Sequence, residues 1–517
     1  MSIEQLDSPA RIPQLLEDRE ITNLMHMIWE SRKDLQLAFN LDTQGGQQGF
    51  CHWYDVSVLR EYGIAPQSAH LSEKVGQETI TPQYIPLHFR LMQLESAVGR
   101  IGRSFPMPFK NLAKSVWFRM LSLAARTAQK NRKRQSTTFH LSQPETVSVP
   151  GVRGANLIGY AHAEVGMGEH VRMTATALAT TDIRFGVLNF NVGIPSRQQA
   201  ALEHGELVKN NLYRTNLFHI NADQMLKAYC HLGRQFFTDR YNVGYWAWEL
   251  AKCPDEWVPV IDMVDEIWAP SRFIQQAFSE KTNKSVEYMP LCVSLPSLPE
   301  YRRSYFGLPD DAFLFLFTFD FFSYIDRKNP FATIQSFKIA FPDRSTQVGL
   351  VIKVMNGDAN RPEWKRMLEM IENDTRIIIL NQTMSREDVL GLFGVCDSFV
   401  SLHRSEGFGR GPAEAMYMGK PVIVTNYSGN TDFTLSDNSC LVNYQLIPVE
   451  EGQYVFERGQ VWADADIEHA AWYMKKLTSE KHFAAEIGLR GKEYIHENFS
   501  PTAIGALYKK RLLTVWN

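Results

Sequence analysis

The stretch SLHRSEGFGRGPAEAM at 401–416 leaves the surrounding chain few ways to fold. Upstream, SFVSL (398–402) is a short apolar run of the kind that forms a strand buried on both faces. Downstream, AEAMYM (413–418) reads as a short helix stopped by Gly419, and KPVIVT (420–425) reads as a second buried strand. Strand, glycine-rich loop, helix and strand form a parallel α/β unit. Its loop and helix N-terminus aim backbone N–H groups at a crevice where an anion can sit. Gly407, Gly409 and Gly411 make the loop, with Phe408 and Arg410 between them, and Glu406 and Glu414 bracket it. Carboxylates repel phosphate, so the two glutamates are better suited to hydroxyls. Glu414, in the first helical turn beside the anion site, suits a ribose, and Glu406, ahead of the loop, suits a sugar ring. Taken singly, Glu414 is simply a complement to the helix dipole and Glu406 a solvated loop residue. The whole string favours a pocket for a nucleotide diphosphate sugar.

The same string resembles the E-x7-E motif of the family-4 retaining glycosyltransferases, and the resemblance extends from about residue 153 to the C-terminus. It implies a GT-B fold of the α/β class: two Rossmann-like domains facing a cleft, with the donor held mainly by the C-terminal one. Here a mainly helical N-terminal accessory region precedes them. The resemblance also implies that Glu406 contacts the donor sugar and Glu414 the nucleotide ribose. Arg410 stands where the family often has an apolar residue. Family members carry an Arg and a Lys about five residues apart after the first strand of the donor domain. This chain has adjacent Arg327 and Lys328, with Ser323 five before the lysine, so Lys328 is the closer match.

The expected organisation is an accessory region, basic helix and linker over 1–150, an acceptor domain over 151–305, a donor domain over 306–499, and a C-terminal helix over 500–517 that crosses back. In the acceptor domain, GANLIGY (154–160) predicts a strand, followed by a loop carrying Gly166 and Gly168 that leads into a helix. Those glycines permit close approach of a phosphate. YNVGYWAWEL (241–250) predicts a strand ending at the cleft, with Trp246, Trp248 and Glu249 as candidate acceptor or sugar contacts, although Trp in a strand is more often core. In the donor domain, AFLFLFTFDF (312–321) predicts a long strand ahead of Arg327 and Lys328, where fixed cations could meet a diphosphate. Lys353 falls near another strand end, and Asn381 and Gln382 follow a third, where they could meet the base.

Nothing in the remaining composition redirects this reading. The 517 residues are 44% hydrophobic and 21% charged, ordinary for a globular protein of three or so domains. The N-terminal 20 residues are acidic and polar, unlike a secretory signal, and no apolar run is long enough to span a bilayer. The six cysteines are scattered without a CxxC pair, so reduced, mostly buried thiols in a cytoplasmic protein are expected. Charge is uneven. Residues 88–134 hold eleven Lys or Arg against Glu95 alone, a balance of +10 that leaves −13 for the rest of a chain whose total is −3. FKNLAKSVWFRMLSLAARTAQKNRKR (109–134) has helical spacing with aromatics among the basic residues. It reads equally as an interfacial helix on the cytoplasmic face of an anionic membrane and as a packed helix with a solvated face. No nucleic-acid-binding module accompanies it. ITNLMHMIWESRKDLQLAF (21–39) predicts an amphipathic helix that QGGQQGF (44–50) breaks.

The function these features imply is transfer of a hexose from a nucleotide diphosphate sugar to a glycan or lipid-linked acceptor, with retained configuration. Glu406, Lys328 and Arg327 would act at the reacting centre and no metal or other cofactor would be needed. A metal-dependent transferase would need an Asp-x-Asp; Asp464 and Asp466 have that spacing but precede a helix that an Asp would cap. A GT-B epimerase or phosphorylase, or a non-catalytic nucleotide-sugar-binding protein, are the other readings.

Overall fold

The apolar runs become two parallel six-stranded sheets. This computed structural model describes residues 5–6, 8–16, 19–62, 152–192, 197–297 and 300–517, and the basic segment 88–134 lies outside the described residues. The first sheet contains β1 (Val152–Gly159), β2 (Phe185–Asn189), β3 (Tyr213–His219), β4 (Tyr241–Tyr245), β5 (Glu266–Ala269) and β6 (Val286–Tyr288), in the order β2-β1-β3-β4-β5-β6. The second contains β7 (Phe313–Asp320), β8 (Val348–Met355), β9 (Ile377–Asn381), β10 (Ser398–Ser401), β11 (Val422–Thr425) and β12 (Cys440–Val442), in the order β12-β11-β10-β7-β8-β9. Every pairing in both sheets is parallel. Counted from β7, the second order is that of a Rossmann sheet. The chain leaves the central pair β7 and β10 in opposite directions, and ligands of such sheets bind outside the carboxyl ends of the strands at that point. The loops after β7 and β10 carry Arg327, Lys328 and the 401–416 string.

Burial explains why the runs read so plainly. β8 and β10 are enclosed on both faces, and β7 nearly so, which removes the alternation a half-exposed strand would show. One apolar core runs between the two sheets, joining Leu157, Leu217 and Tyr245 to Leu314, Phe399 and Val424, and a second fills the far face of the second sheet. The last helix, Pro501–Trp516, is capped by Ser500 and packs on the helix Gly166–Ala179 that follows β1. Its Tyr508 hydroxyl meets that of Tyr245 at 2.7 Å, and Trp516 Nε1 donates to Thr215 Oγ1 at 2.9 Å.

The N-terminal region differs from its sequence reading. The stretch 21–39 splits into two helices, Asn23–Glu30 and Lys33–Ala38, separated at extended Arg32. QGGQQGF does not break a helix; it opens one, Gln44–Tyr62. Tertiary bonds override the glycines. Buried Gln47 donates to the carbonyls of Pro13 (2.6 Å) and Leu41 (2.8 Å) and accepts from Leu15 N at 3.0 Å. These helices share a core with the first sheet. Gly166 and Gly168 lie within the first turn of the helix Gly166–Ala179, not in a loop ahead of it.

An antiparallel hairpin, β13 (Tyr444–Pro448) and β14 (Val461–Ala465), follows the second sheet. Its connecting residues 449–460 leave their own domain. Val449, Tyr454 and Trp462 join the core that surrounds Trp246, Trp248 and Trp257 of the first. Both Trp246 and Trp248 are therefore core residues and not open contacts for a sugar. The Gln460 side chain brackets the backbone of Lys252, accepting from its N at 3.1 Å and donating to its O at 2.7 Å. No described helix is long and apolar enough to cross a membrane.

Candidate functional site

Arg327 and Lys328 end a short helix, Ile325–Lys328, because Asn329 turns the chain left-handed and Pro330 starts the next helix. The Asn329 amide donates to Leu402 O at 3.0 Å, which pins this turn against the end of β10. Glu406 is held by its own backbone. Its N donates to Ser428 Oγ at 2.8 Å and its O accepts from Gly429 N at 2.9 Å. These local fixings bring the Lys328 ammonium into contact with Glu406 Oε1, and Arg327 Nη1 to 3.2 Å from Glu406 Oε2.

Exposure separates the two cations. The Arg327 side chain is 4% exposed and Lys328 20%, with Glu406 at 13%. Arg327 also donates to Ser405 O at 3.0 Å and lies 3.3 Å from Glu249 Oε1 of the first domain. Burial would raise the Glu406 carboxyl; Lys328 and then Arg327 outweigh it and bring it down to about 2, so the group is ionised at neutral pH. Behind it lies His403, fully buried. The Asn430 amide donates to Thr425 O and Thr434 Oγ1, both at 3.0 Å, so Asn430 Oδ1 must accept from His403 Nε2 at 2.9 Å. That assigns the Nε2–H tautomer, with Nδ1 accepting from Ser401 Oγ at 3.0 Å. Burial lowers the His403 pKa, which keeps the ring neutral.

The loop then turns at Gly409, whose φ of 94° is a left-handed conformation, into the helix Arg410–Tyr417. Gly407 sits where the two domains touch. Its O accepts from Ser271 Oγ at 2.6 Å, and a Cβ there would come within 2.9 Å of Trp248 O. Gly411 packs on the Phe399 ring and Phe408 on Phe433. Glu414 is buried beneath the helix start. It accepts from both terminal nitrogens of Arg386 at 3.0 and 2.7 Å, and from Arg410 Nε at 3.2 Å. Burial would raise this carboxyl too, and Arg386 and Arg410 bring it down to about 2. Arg410 also reaches Glu169 Oε1 of the first domain at 3.0 Å, and Glu169 pairs with Arg172 at 2.7 Å. Three guanidinium groups thus surround two carboxylates. Beside them, a small crevice lies between Phe408, Arg410 and Glu414 on one side and Met173 and Cys292 on the other.

The structure gathers Glu406, Lys328, Arg327 and Gly407 at one end of the 401–416 loop, and Arg410 and Glu414 at the other. Gly168 is packed against the carbonyls of Tyr160 and Ala163, whereas Gly166 faces open space. Lys353 is buried at the end of β8, and Asn381 donates to Gly357 O at 3.1 Å. Asp464 pairs with Arg404 at 3.3 Å, and Asp466 caps the helix Ile467–Ser479. Sequence reasoning missed Arg386, Glu169 and Tyr454, which no local pattern marks. His403 and Ser405 stand inside the string itself and were open to notice.

Residues 318–443 match the family described as Glycosyl transferases group 1. No curated protein sequence matches the chain. Among solved structures, the chain is similar to HepE of Anabaena, crystallised with UDP and glucose (14% identity, TM-score 0.51, covering 70% of this chain and 100% of that one). It is also similar to a glycosyltransferase of Rickettsia africae (15%, 0.51, 71% and 99%) and to sucrose-phosphate synthase of Thermosynechococcus elongatus (14%, 0.50, 70% and 99%). With two parallel Rossmann-like sheets and this match across the heart of the second, the chain has the GT-B fold, and its second sheet carries a segment of the group 1 glycosyl transferase type.

Proposed function

We propose that the protein transfers a hexose from a nucleotide diphosphate sugar to a hydroxyl of a glycan or lipid-linked glycan, with retained configuration and without a metal. The observation that carries this reading is the placement of Glu406 against Lys328 and Arg327 between the ends of β7 and β10. Cleaving the donor develops negative charge on the leaving diphosphate and positive charge on the sugar. Lys328, the more exposed cation, exchanges Glu406 for the diphosphate, and the unpaired N–H groups opening the helix Arg410–Tyr417 add to it. Arg327 stays buried and keeps Glu406 ionised, so the carboxylate is freed for sugar hydroxyls. The guanidinium surplus around Glu414 draws the nucleotide phosphates toward the loop, and Glu414 accepts from the ribose. No side chain is required as nucleophile if the leaving phosphate takes the acceptor proton.

The test is a thermal-shift screen of UDP-, GDP- and ADP-sugars, followed by turnover with and without a glycan acceptor. UDP-glucose comes first, because the similar HepE was solved with UDP and glucose. A ligand that binds the native state raises its melting point. Glu406→Gln lowers kcat by on the order of 100-fold with the fold intact, as expected for a lost charge-assisted contact. Glu414→Gln chiefly raises the donor KM. Near-normal turnover by folded Glu406→Gln protein refutes the assignment. Sugar interconversion or phosphorolysis without transfer would make the protein an epimerase or phosphorylase.

A further inference from the structure

Arg327 is the only described arginine gripped by carboxylates from both domains at the Glu406 site, and the second of them, Glu249, has no role in the mechanism above. Glu249 follows β4 in a segment with little freedom. Ala247 N donates to Asn221 Oδ1 at 2.9 Å, Trp248 Nε1 donates to Lys252 O at 2.9 Å, and Gln460 brackets Lys252 from the hairpin connection. The flanking Trp248 is core, which leaves the Glu249 side chain, 31% exposed, directed at Arg327. Its other oxygen accepts from the Tyr454 hydroxyl. Tyr454 is itself wedged between Trp248 and Tyr324, with ring centroids at 5.9 and 4.6 Å. Tyr324 has a φ of 59° and immediately precedes the helix that bears Arg327 and Lys328.

We propose that Glu249 is a positioning residue of the donor site, acting through Arg327 and held in place by Tyr454. The proposal rests on the donor-site reading above. While the site is empty, two cations, Arg327 and Lys328, face two carboxylates, Glu249 and Glu406. A bound diphosphate takes Lys328, which leaves one buried guanidinium shared between the carboxylates. Glu249 holds Nη2 and keeps the guanidinium turned so that Glu406 faces it through one oxygen. Without that pull the guanidinium turns fully to Glu406 and forms a two-point pair, the geometry arginine and carboxylate favour. Both Glu406 oxygens then face the guanidinium, and the carboxylate is turned away from the sugar hydroxyls. The nucleotide, bound through Lys328, Arg410, Glu414 and the loop amides and not through Arg327, keeps its affinity.

This separates positioning from a general structural role. In the full-length protein, Glu249→Gln leaves the calorimetric Kd of the preferred nucleoside diphosphate (UDP, GDP or ADP) within about twofold of wild type, and lowers kcat for the corresponding nucleotide sugar by about tenfold. Tyr454→Phe keeps the ring packing and loses only the hydroxyl, so its kcat falls in the same direction by roughly threefold. It remains informative if Glu249→Gln fails to fold. Parallel losses of nucleotide affinity and turnover mark a structural residue and overturn the assignment, as does an unchanged kcat in both variants. If wild-type protein binds none of the three diphosphates, or turns over no nucleotide sugar, the donor-site reading falls and this assignment falls with it. If wild type is active and the variants match it, only the role of Glu249 is refuted.

Discussion

Gly407→Ala tests whether the two domains must touch for the site to work. Gly407 has no left-handed φ, so alanine meets no backbone penalty and the whole effect is steric. The new Cβ would lie 2.9 Å from Trp248 O, 3.3 Å from Ile274 Cδ1 and 3.6 Å from Glu249 Cγ. A carbon against a carbonyl oxygen settles at about 3.3–3.6 Å, so one backbone or the other must retreat by roughly 0.4–0.7 Å. Trp248 is core, so it cannot give way as a flexible side chain would, and the displacement falls on the domain contact. That contact includes the 2.6 Å bond from Ser271 to Gly407 O and the 3.3 Å approach of Arg327 to Glu249. Overpacking of this kind costs about 1–3 kcal/mol. Misplacement by a fraction of an ångström lowers turnover by roughly tenfold. The assays are differential scanning fluorimetry and steady-state turnover on the same preparation. Gly166→Ala is the control, because a Cβ there meets nothing within 4 Å. Alanine in that first helical turn raises stability by up to about 1 kcal/mol or leaves it alone. If Gly407→Ala melts and turns over like wild type, or Gly166→Ala loses as much stability, the reasoning from contact distance is refuted.

Acid should weaken the protein through Glu406 and Glu414. Both carboxyls are held at about 2 in the folded chain against an ordinary 4.5, so each contributes stability above pH 4.5 that is lost as pH falls toward 2. The contribution is up to about 3 kcal/mol each, and a Glu406→Gln, Glu414→Gln double variant should show a visibly shallower fall in melting point between pH 5 and 3; equal slopes contradict this. Turnover should survive excess EDTA, since lysine, arginine and helix amides supply the positive charge. Loss of activity rescued by magnesium or manganese would shift attention to Asp464 and Asp466. The +10 segment 88–134 should favour anionic over neutral liposomes in co-sedimentation, more weakly as salt rises, and changing Lys110, Lys114, Arg119 and Arg126 to Ser should remove the preference. Equal pelleting of both proteins on both lipids would leave the segment without a membrane role.

What the sequence made legible was local. The strand, glycine loop and helix around 401–416 could be read because β10 and β11 are buried on both faces and the loop needs glycine for backbone reasons. Glu406, Lys328 and Arg327, nearly eighty residues apart in the chain, could be linked only through family resemblance, since periodicity says nothing about which loops meet. The helix Gln44–Tyr62 was misread because its glycines are overruled by the buried Gln47 amide, a tertiary effect. Arg386 gave no sign at all. It sits in an ordinary capped helix, and its partnership with Glu414 exists only because two crossovers bring their helices to the same end of the sheet.

The hairpin connection 449–460 limits how such a protein can be recombined. A chimera cut between the two sheets would take the second half away from the tryptophans on which Tyr454 and Phe456 rest, and would leave Lys252 without Gln460. It would also strip the first sheet of the last helix that covers it. Residues 246–257, 449–460 and 501–516 therefore form one inheritable cassette spread across three places in the gene. N-terminal halves exchanged between relatives should function only when all three pieces travel together.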